Sequence, residues 1–144
     1  MVDAAQDVAA DGDKVGIFPR HHAADIGLFG AERRAHGRSL PGYQLLLGGY
    51  VGEEQIHFGQ KALRLPARTA PEGVARVVRR FADERSAGET FQGWLARSGG
   101  AKKVGETLAE LDNIPLPDED PSFYVDYDET NPFSGEVGDS ECAV

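Results

Sequence analysis

The hydrophobic pattern of the chain changes period near residue 69. There Thr69-Ala70-Pro71-Glu72 matches a capping box with proline in the first turn, and Val74, Val77, Val78 and Phe81 follow at spacings of 3, 1 and 3. That spacing predicts an amphipathic helix reaching about Arg85, with Arg76, Arg79, Arg80 and Asp83 on a solvated face. Gly88 interrupts the pattern. Phe91, Trp94 and Leu95 then mark a second, shorter helix ending at Gly99-Gly100, and a third short helix is expected from Lys103 to Leu111.

Upstream of residue 69 the apolar runs are short, as strands require. Ile26, Leu28 and Phe29 stand beside Gly27 and Gly30 within His22 to Arg33, which predicts a short strand approached closely by other backbone. Gly37 and Pro41-Gly42 punctuate the turn that follows. The run Tyr43-Gln44-Leu45-Leu46-Leu47, closed by Gly48-Gly49, is the clearest strand, and its apolar character predicts that both faces are covered. Gln55-Ile56-His57-Phe58, continuing to Leu63 and Leu65, reads as another strand or an irregular extension ending at Pro66. The elements together predict an α+β fold of short strands packed against two or three helices.

The two ends lack such patterns. Residues 1–14 are rich in Ala and Asp without an apolar stripe, and Asp11-Gly12-Asp13 is a turn signal. After Leu111 the sequence PLPDEDPSFYVDYDETNPF alternates Pro, acids and aromatics, which cannot sustain a helix and offers little to bury. The reading is therefore a mobile or unrelated arm over 1–20, a folded unit over 21–111 and an acidic flexible tail over 112–144. In that tail DEDPSFYVDYDE mixes carboxylates with Phe123, Tyr124 and Tyr127, so a solubilising role and partner binding are both open.

Charge sharpens this picture. Acids outnumber bases 24 to 15 for a net charge of −9, which argues against a nucleic-acid-binding protein. All fifteen Lys and Arg lie between Lys14 and Lys103, so the acidic C-terminal part sets the overall sign. No stretch approaches the roughly 20 apolar residues that span a bilayer, and the N-terminus lacks the basic-then-apolar order of a signal peptide. A cytoplasmic protein without membrane contact is expected. The single cysteine, Cys142, excludes an intrachain disulfide and any cysteine-rich metal site. His21, His22, His36 and His57 show no metal-binding spacing, and Gly48-Gly49 is not part of a G-x-G-x-x-G motif. Scattered histidines and a tight turn are the simpler readings.

Four segments in order, HHAADIG, GYQLLLGG, the amphipathic helix and ERSAGETFQGWL, resemble the C-terminal part of siroheme and iron–sulfur nitrite/sulfite reductases of the ferredoxin-nitrite reductase type. The resemblance runs from His21 to Gly99, about 79 of 144 residues. It implies an α+β layer from the siroheme and iron–sulfur half of such an enzyme. It also implies a six-electron reduction of nitrite or sulfite, fed by ferredoxin or a flavoprotein through a [4Fe-4S] cluster bridged to siroheme.

The cluster requires four thiolates, two of them in a Cys-x-x-x-Cys pair just ahead of the segment matched by His21-His22. Aligned without a gap, this sequence has Lys14 and Phe18 at those two positions, and neither side chain replaces a thiolate. Arg20 falls where the family has Gln or Arg, so the resemblance implies contact with a siroheme carboxylate in an intact assembly; a solvated loop arginine is the plainer reading. The expectation is a fragment-like chain without catalytic residues or a metal site of its own, inactive alone and binding neither cofactor. It would be either the remnant of a longer reading frame or an interaction module docking on a redox partner, such as ferredoxin, or on a complementary or intact reductase chain.

Overall fold

The computed structural model describes residues 20–134. The order of elements is α1 (Arg20–Ala23), β1 (Ile26–Gly30), β2 (Arg33–Ala35), β3 (Arg38–Leu40), β4 (Gly42–Leu47), β5 (Tyr50–Val51), β6 (Ile56–His57), β7 (Gln60–Pro66), α2 (Ala70–Glu84), α3 (Phe91–Arg97) and α4 (Ala101–Glu106). Two 3-10 turns follow at Ala109–Asp112 and Pro121–Tyr124. This is the expected α+β fold. No helix among the described residues is long and apolar enough to cross a membrane.

Strand β4 is the centre of an antiparallel sheet in the order β1-β4-β7. Its leucines explain that position, because alternate residues must be buried on both sheet faces. Leu45 and Leu47 face the helices and join Val77, Phe81, Phe91, Trp94, Leu95, Val104 and Leu108 in one cluster. Leu46 and Gln44, of opposite parity, are also buried. The Gln44 amide is satisfied by donating to the carbonyls of Leu45 and Leu63, each at 3.1 Å. Phe81, Phe91 and Trp94 pack with ring centroids 5.3–5.6 Å apart, tying α2 to α3.

Two further antiparallel pairs leave the main sheet. β2 and β3 form a hairpin whose two-residue loop, His36-Gly37, has φ of 52° and 76°, the left-handed pair of a type I′ turn. β5 and β6 form a short ribbon with Tyr50 opposite His57 and Val51 opposite Ile56.

Several expectations are corrected. Thr69 precedes α2, but its hydroxyl makes no capping bond; it donates to the Leu111 carbonyl at 2.7 Å, and Glu72 is taken up by Arg76 and Arg79. A long-range acceptor has displaced the local box. The third helix starts at Ala101 and stops at Glu106, where Thr107 donates to Val104 at 2.6 Å and the chain tightens into i to i+3 bonds. His22, expected at the start of the segment holding the first strand, lies with His21 in α1.

The largest correction concerns residues 112–134, expected to extend away as part of a flexible tail. They fold back as a strap over the β2–β3 hairpin and the β7–α2 turn. Arg33 binds both Asp112 carboxylate oxygens at 2.6 Å, and His36 Nε2 donates to the Ile114 carbonyl at 2.9 Å. Tyr124 is buried, donates to Pro115 at 2.7 Å and lies under the Arg38 guanidinium. Arg68 donates to the Ser122 carbonyl at 2.9 Å and covers the Tyr127 ring. Arginines distant in sequence supply the partners that local composition lacks.

Candidate functional site

The face most open to chemistry lies where the β5–β6 ribbon meets α3. Its position depends on Gly48-Gly49, which ends β4. Gly48 has φ of +87°, and a Cβ on Gly49 would sit 2.5 Å from the Ala24 carbonyl oxygen and 2.7 Å from that of His22. Only glycine lets the ribbon leave the sheet directly against α1. Gly59, where the ribbon ends, donates to the His22 carbonyl at 2.5 Å, and Gly48 donates to that of Asp25 at 2.9 Å. The close backbone approach expected for the strand at Ile26 falls instead just ahead of it, at His22–Ala24, whereas a Cβ on Gly30 would meet nothing within 4 Å.

Two adjoining cavities line this face. One, of about 310 Å³, has apolar walls from Leu47, Phe58, Leu95 and Ala96. The other, of about 510 Å³, is lined by Asp25, Tyr50, Gln55, Thr90 and Phe91. His57 and Gln92 belong to both. His57 Nε2 donates to Gln55 Oε1 at 2.9 Å, and its ring lies 6.4 Å from that of Tyr50. The Gln92 amide donates to the Gly48 carbonyl at 3.4 Å. Thr90 caps α3, its hydroxyl accepting from the Gly93 amide at 3.1 Å. Burial pushes the Asp25 carboxyl above its ordinary value of 3.8.

Beside the cavities the ribbon carries an apolar outer surface. Tyr50, Val51, Ile56 and Phe58 are 45, 64, 63 and 61% exposed. Val51 and Ile56 pair across the ribbon and share one of its faces, and exposed apolar side chains of this kind mark protein contacts.

Charged side chains elsewhere pair on the surface. Glu89 is held below the usual carboxylate range by hydrogen bonds from Arg97, and Glu72 likewise by Arg76 and Arg79. Arg80 pairs with Glu84 at 2.6 Å, so the basic side of α2 is a laddered solvent face.

Of the residues singled out in the sequence, Arg20 and His21 lie in α1, while Lys14, Phe18 and Cys142 fall outside the described residues. His22 stands among Phe29 and Phe58, at centroid distances of 5.7 and 6.4 Å. His36 binds the strap and His57 the ribbon face, so the three are not brought together. No group of three or more His, Cys, Asp or Glu among the described residues lies close enough to hold a metal ion. With one cysteine in the sequence, this donor set does not fit a cluster that needs four thiolates. That Asp25 shares a cavity with His57, Gln55 and Gln92 was invisible in the sequence, because these residues come from separate elements without a motif spacing.

No family model matches the chain. An assimilatory ferredoxin-dependent nitrite reductase of Haloferax mediterranei is 35% identical over 78 residues, 54% of this chain and 13% of that protein. A sulfite reductase [ferredoxin] of Mycobacterium tuberculosis is 41% identical over 83 residues, 55% of this chain and 15% of the relative. The solved structure of the Mycobacterium tuberculosis NirA protein superposes with a TM-score of 0.52 at 34% identity, covering 59% of this chain and 16% of that one. The chain therefore spans about one-seventh of the length of these relatives. Over somewhat more than half of its own residues it is a partial nitrite/sulfite reductase-like chain.

Proposed function

We propose that this chain acts as one packing unit of a larger nitrite/sulfite reductase-type assembly and reduces neither ion alone. In this reading another polypeptide supplies the thiolates and holds siroheme and the [4Fe-4S] cluster. Ferredoxin, which the relatives carry in their names, is the electron donor of that assembly, and its setting is cytoplasmic. The observation that carries the reading is the exposure of the ribbon's apolar side chains, Tyr50, Val51, Ile56 and Phe58, on a unit that matches only 13–16% of each relative. An apolar surface of this kind is stabilised when a partner removes it from water. Arg20, at the start of α1, is the residue we assign to a siroheme carboxylate within such an assembly.

The test has two parts. The chain purified after expression with iron and siroheme synthesis available should be colourless; a siroheme Soret band with bound iron would contradict the proposal. Mixed with a reductase lacking the corresponding C-terminal segment, it should form a complex and restore nitrite or sulfite reduction.

A second reading uses the same surface differently: a cofactor-free module docks on an intact reductase or on a redox partner. The composition of the ribbon supports it, since exposed apolar residues flanked by Glu53 and Glu54 suit a reversible contact. Binding to the intact enzyme at least as strong as to the shortened one would favour this reading over complementation.

A further inference from the structure

The main sheet has two edges, and they are finished differently. β7 carries Lys61, Arg64 and Pro66, charges and a proline of the kind that blunt edge pairing. α4 also lies directly against it, with Gly105 so close that a Cβ there would run into the Ala62 carbonyl oxygen. β1 reads Ile26-Gly27-Leu28-Phe29-Gly30, with neither a charge nor a proline, and no strand among the described residues lies on its outer side. The bonds that continue its ladder fix which groups face outward. Gly48 donates to the Asp25 carbonyl and Ala31 to that of Gly42, both at 2.9 Å, so odd-numbered residues bond to β4. The N–H and C=O groups of Ile26, Leu28 and Gly30 therefore point away from it. Ile26 and Leu28 pack against the helix-facing cluster but stay only partly buried.

An antiparallel strand laid beside β1 would satisfy those backbone groups and cover the flank of the core at Ile26 and Leu28. The strand is itself suited to be that partner. A two-fold axis at Leu28 sets Leu28 opposite Leu28 of a second copy and Ile26 opposite its Gly30, so outward groups meet outward groups along the whole strand. Beyond the strand Ala24 stands opposite Glu32, so no like charges face each other. Moving the axis off Leu28 in either direction leaves residues of β1 outside the pairing, and centring it on Gly30 sets Leu28 against Glu32.

We propose that two copies of this chain associate through β1, joining their three-stranded sheets into one continuous antiparallel sheet. The proposal requires only this chain and is independent of the reductase reading. So short a contact buries less than stable interfaces do, which predicts a weak, concentration-dependent dimer. The net charge of −9 on each copy adds long-range repulsion, so salt should strengthen the association.

The experiment combines sedimentation velocity with amide hydrogen exchange on the full chain, over a concentration series reaching about 1 mM. The sedimentation coefficient should rise with concentration. Exchange at Leu28 should slow in step, while Gly27 and Phe29, whose amides already face β4, stay unchanged. Gly30→Lys adds a charge to the edge where a Cβ meets nothing within 4 Å, so it should weaken the dimer by at least about tenfold and leave the fold intact. Gly30→Pro removes an outward donor but no bond to β4, and should act in the same direction. Gly30→Ala, which adds a side chain without charge, should retain the dimer. A chain that sediments as a monomer throughout, Leu28 exchange independent of concentration, or a dimer undiminished in both Gly30→Lys and Gly30→Pro would overturn the proposal. So would a monomer whose Leu28 amide gains protection only when a reductase lacking the C-terminal segment is added, an outcome that assigns the edge to that partner.

Discussion

Asp25 is a carboxyl that folding holds above its ordinary value of 3.8 by burial, and this has a definite thermodynamic sign. The folded state binds that proton more tightly than the unfolded chain. Its contribution is therefore fully present below the unfolded value and is lost as pH rises through the folded one. Asp25→Asn removes the ionisation, so the variant should melt at a higher temperature than the parent near neutral pH, and the gap should close on acidification. Thermal melts across that range check this, and a gap independent of pH would reject the assignment. Gly105 illustrates a different residue-scale effect. Helix propensity alone favours Gly105→Ala by about 1 kcal/mol. However, a Cβ there would run into the backbone of Ala62, with the carbonyl carbon at 2.7 Å. Backbone cannot rotate away as a side chain does, so overpacking outweighs propensity and the variant should lose about 2 kcal/mol in denaturant unfolding.

At the scale of elements, the strap has one deeply buried side chain among its anchors. Tyr124 combines near-complete burial with a hydrogen bond to Pro115 and a contact with Arg38. Tyr124→Ala should cost about 3 kcal/mol and remove hydrogen-exchange protection from residues 112–134 before the sheet exchanges. Tyr124→Phe, which loses only the hydrogen bond, should cost about 1 kcal/mol. Equal effects of the two variants would mean that burial does not anchor the strap. This element also shows where sequence reading failed. α2 and β4 were legible because their apolar residues repeat with the period of the element and pack in place. The strap has no period; it is fixed by Arg33, Arg38 and Arg68, dozens of residues upstream, so its Pro- and Asp-rich composition looked like open chain. The candidate site escaped for the same reason. Asp25, His57 and Gln92 belong to the β1 approach, β6 and α3, and only the glycine-permitted crossing at Gly48-Gly49 brings those elements together.

For the whole molecule, the decisive contrast is between the buried helix-facing core and the uncovered ribbon. Trp94, Leu45 and Leu47 are fully buried, so the helices close over one side of the sheet without any other chain. Ile56 and Phe58 are more than 60% exposed and contribute little to that core. Folding and docking should therefore be separable by substitution. Ile56→Thr keeps β-branching and Phe58→Ser removes the largest exposed ring, so the double variant should unfold within about 0.5 kcal/mol of the parent, as surface changes usually do. Its complex with a reductase lacking the C-terminal segment should weaken by at least about tenfold, because the lost apolar area matters only when a partner covers it. Sedimentation would report the complex and denaturant unfolding the stability, each on the same preparations. A variant that binds as well as the parent would place the contact elsewhere on the surface. One that unfolds much more easily would show that the ribbon belongs to the core of this unit, and the docking proposal would lose its main support.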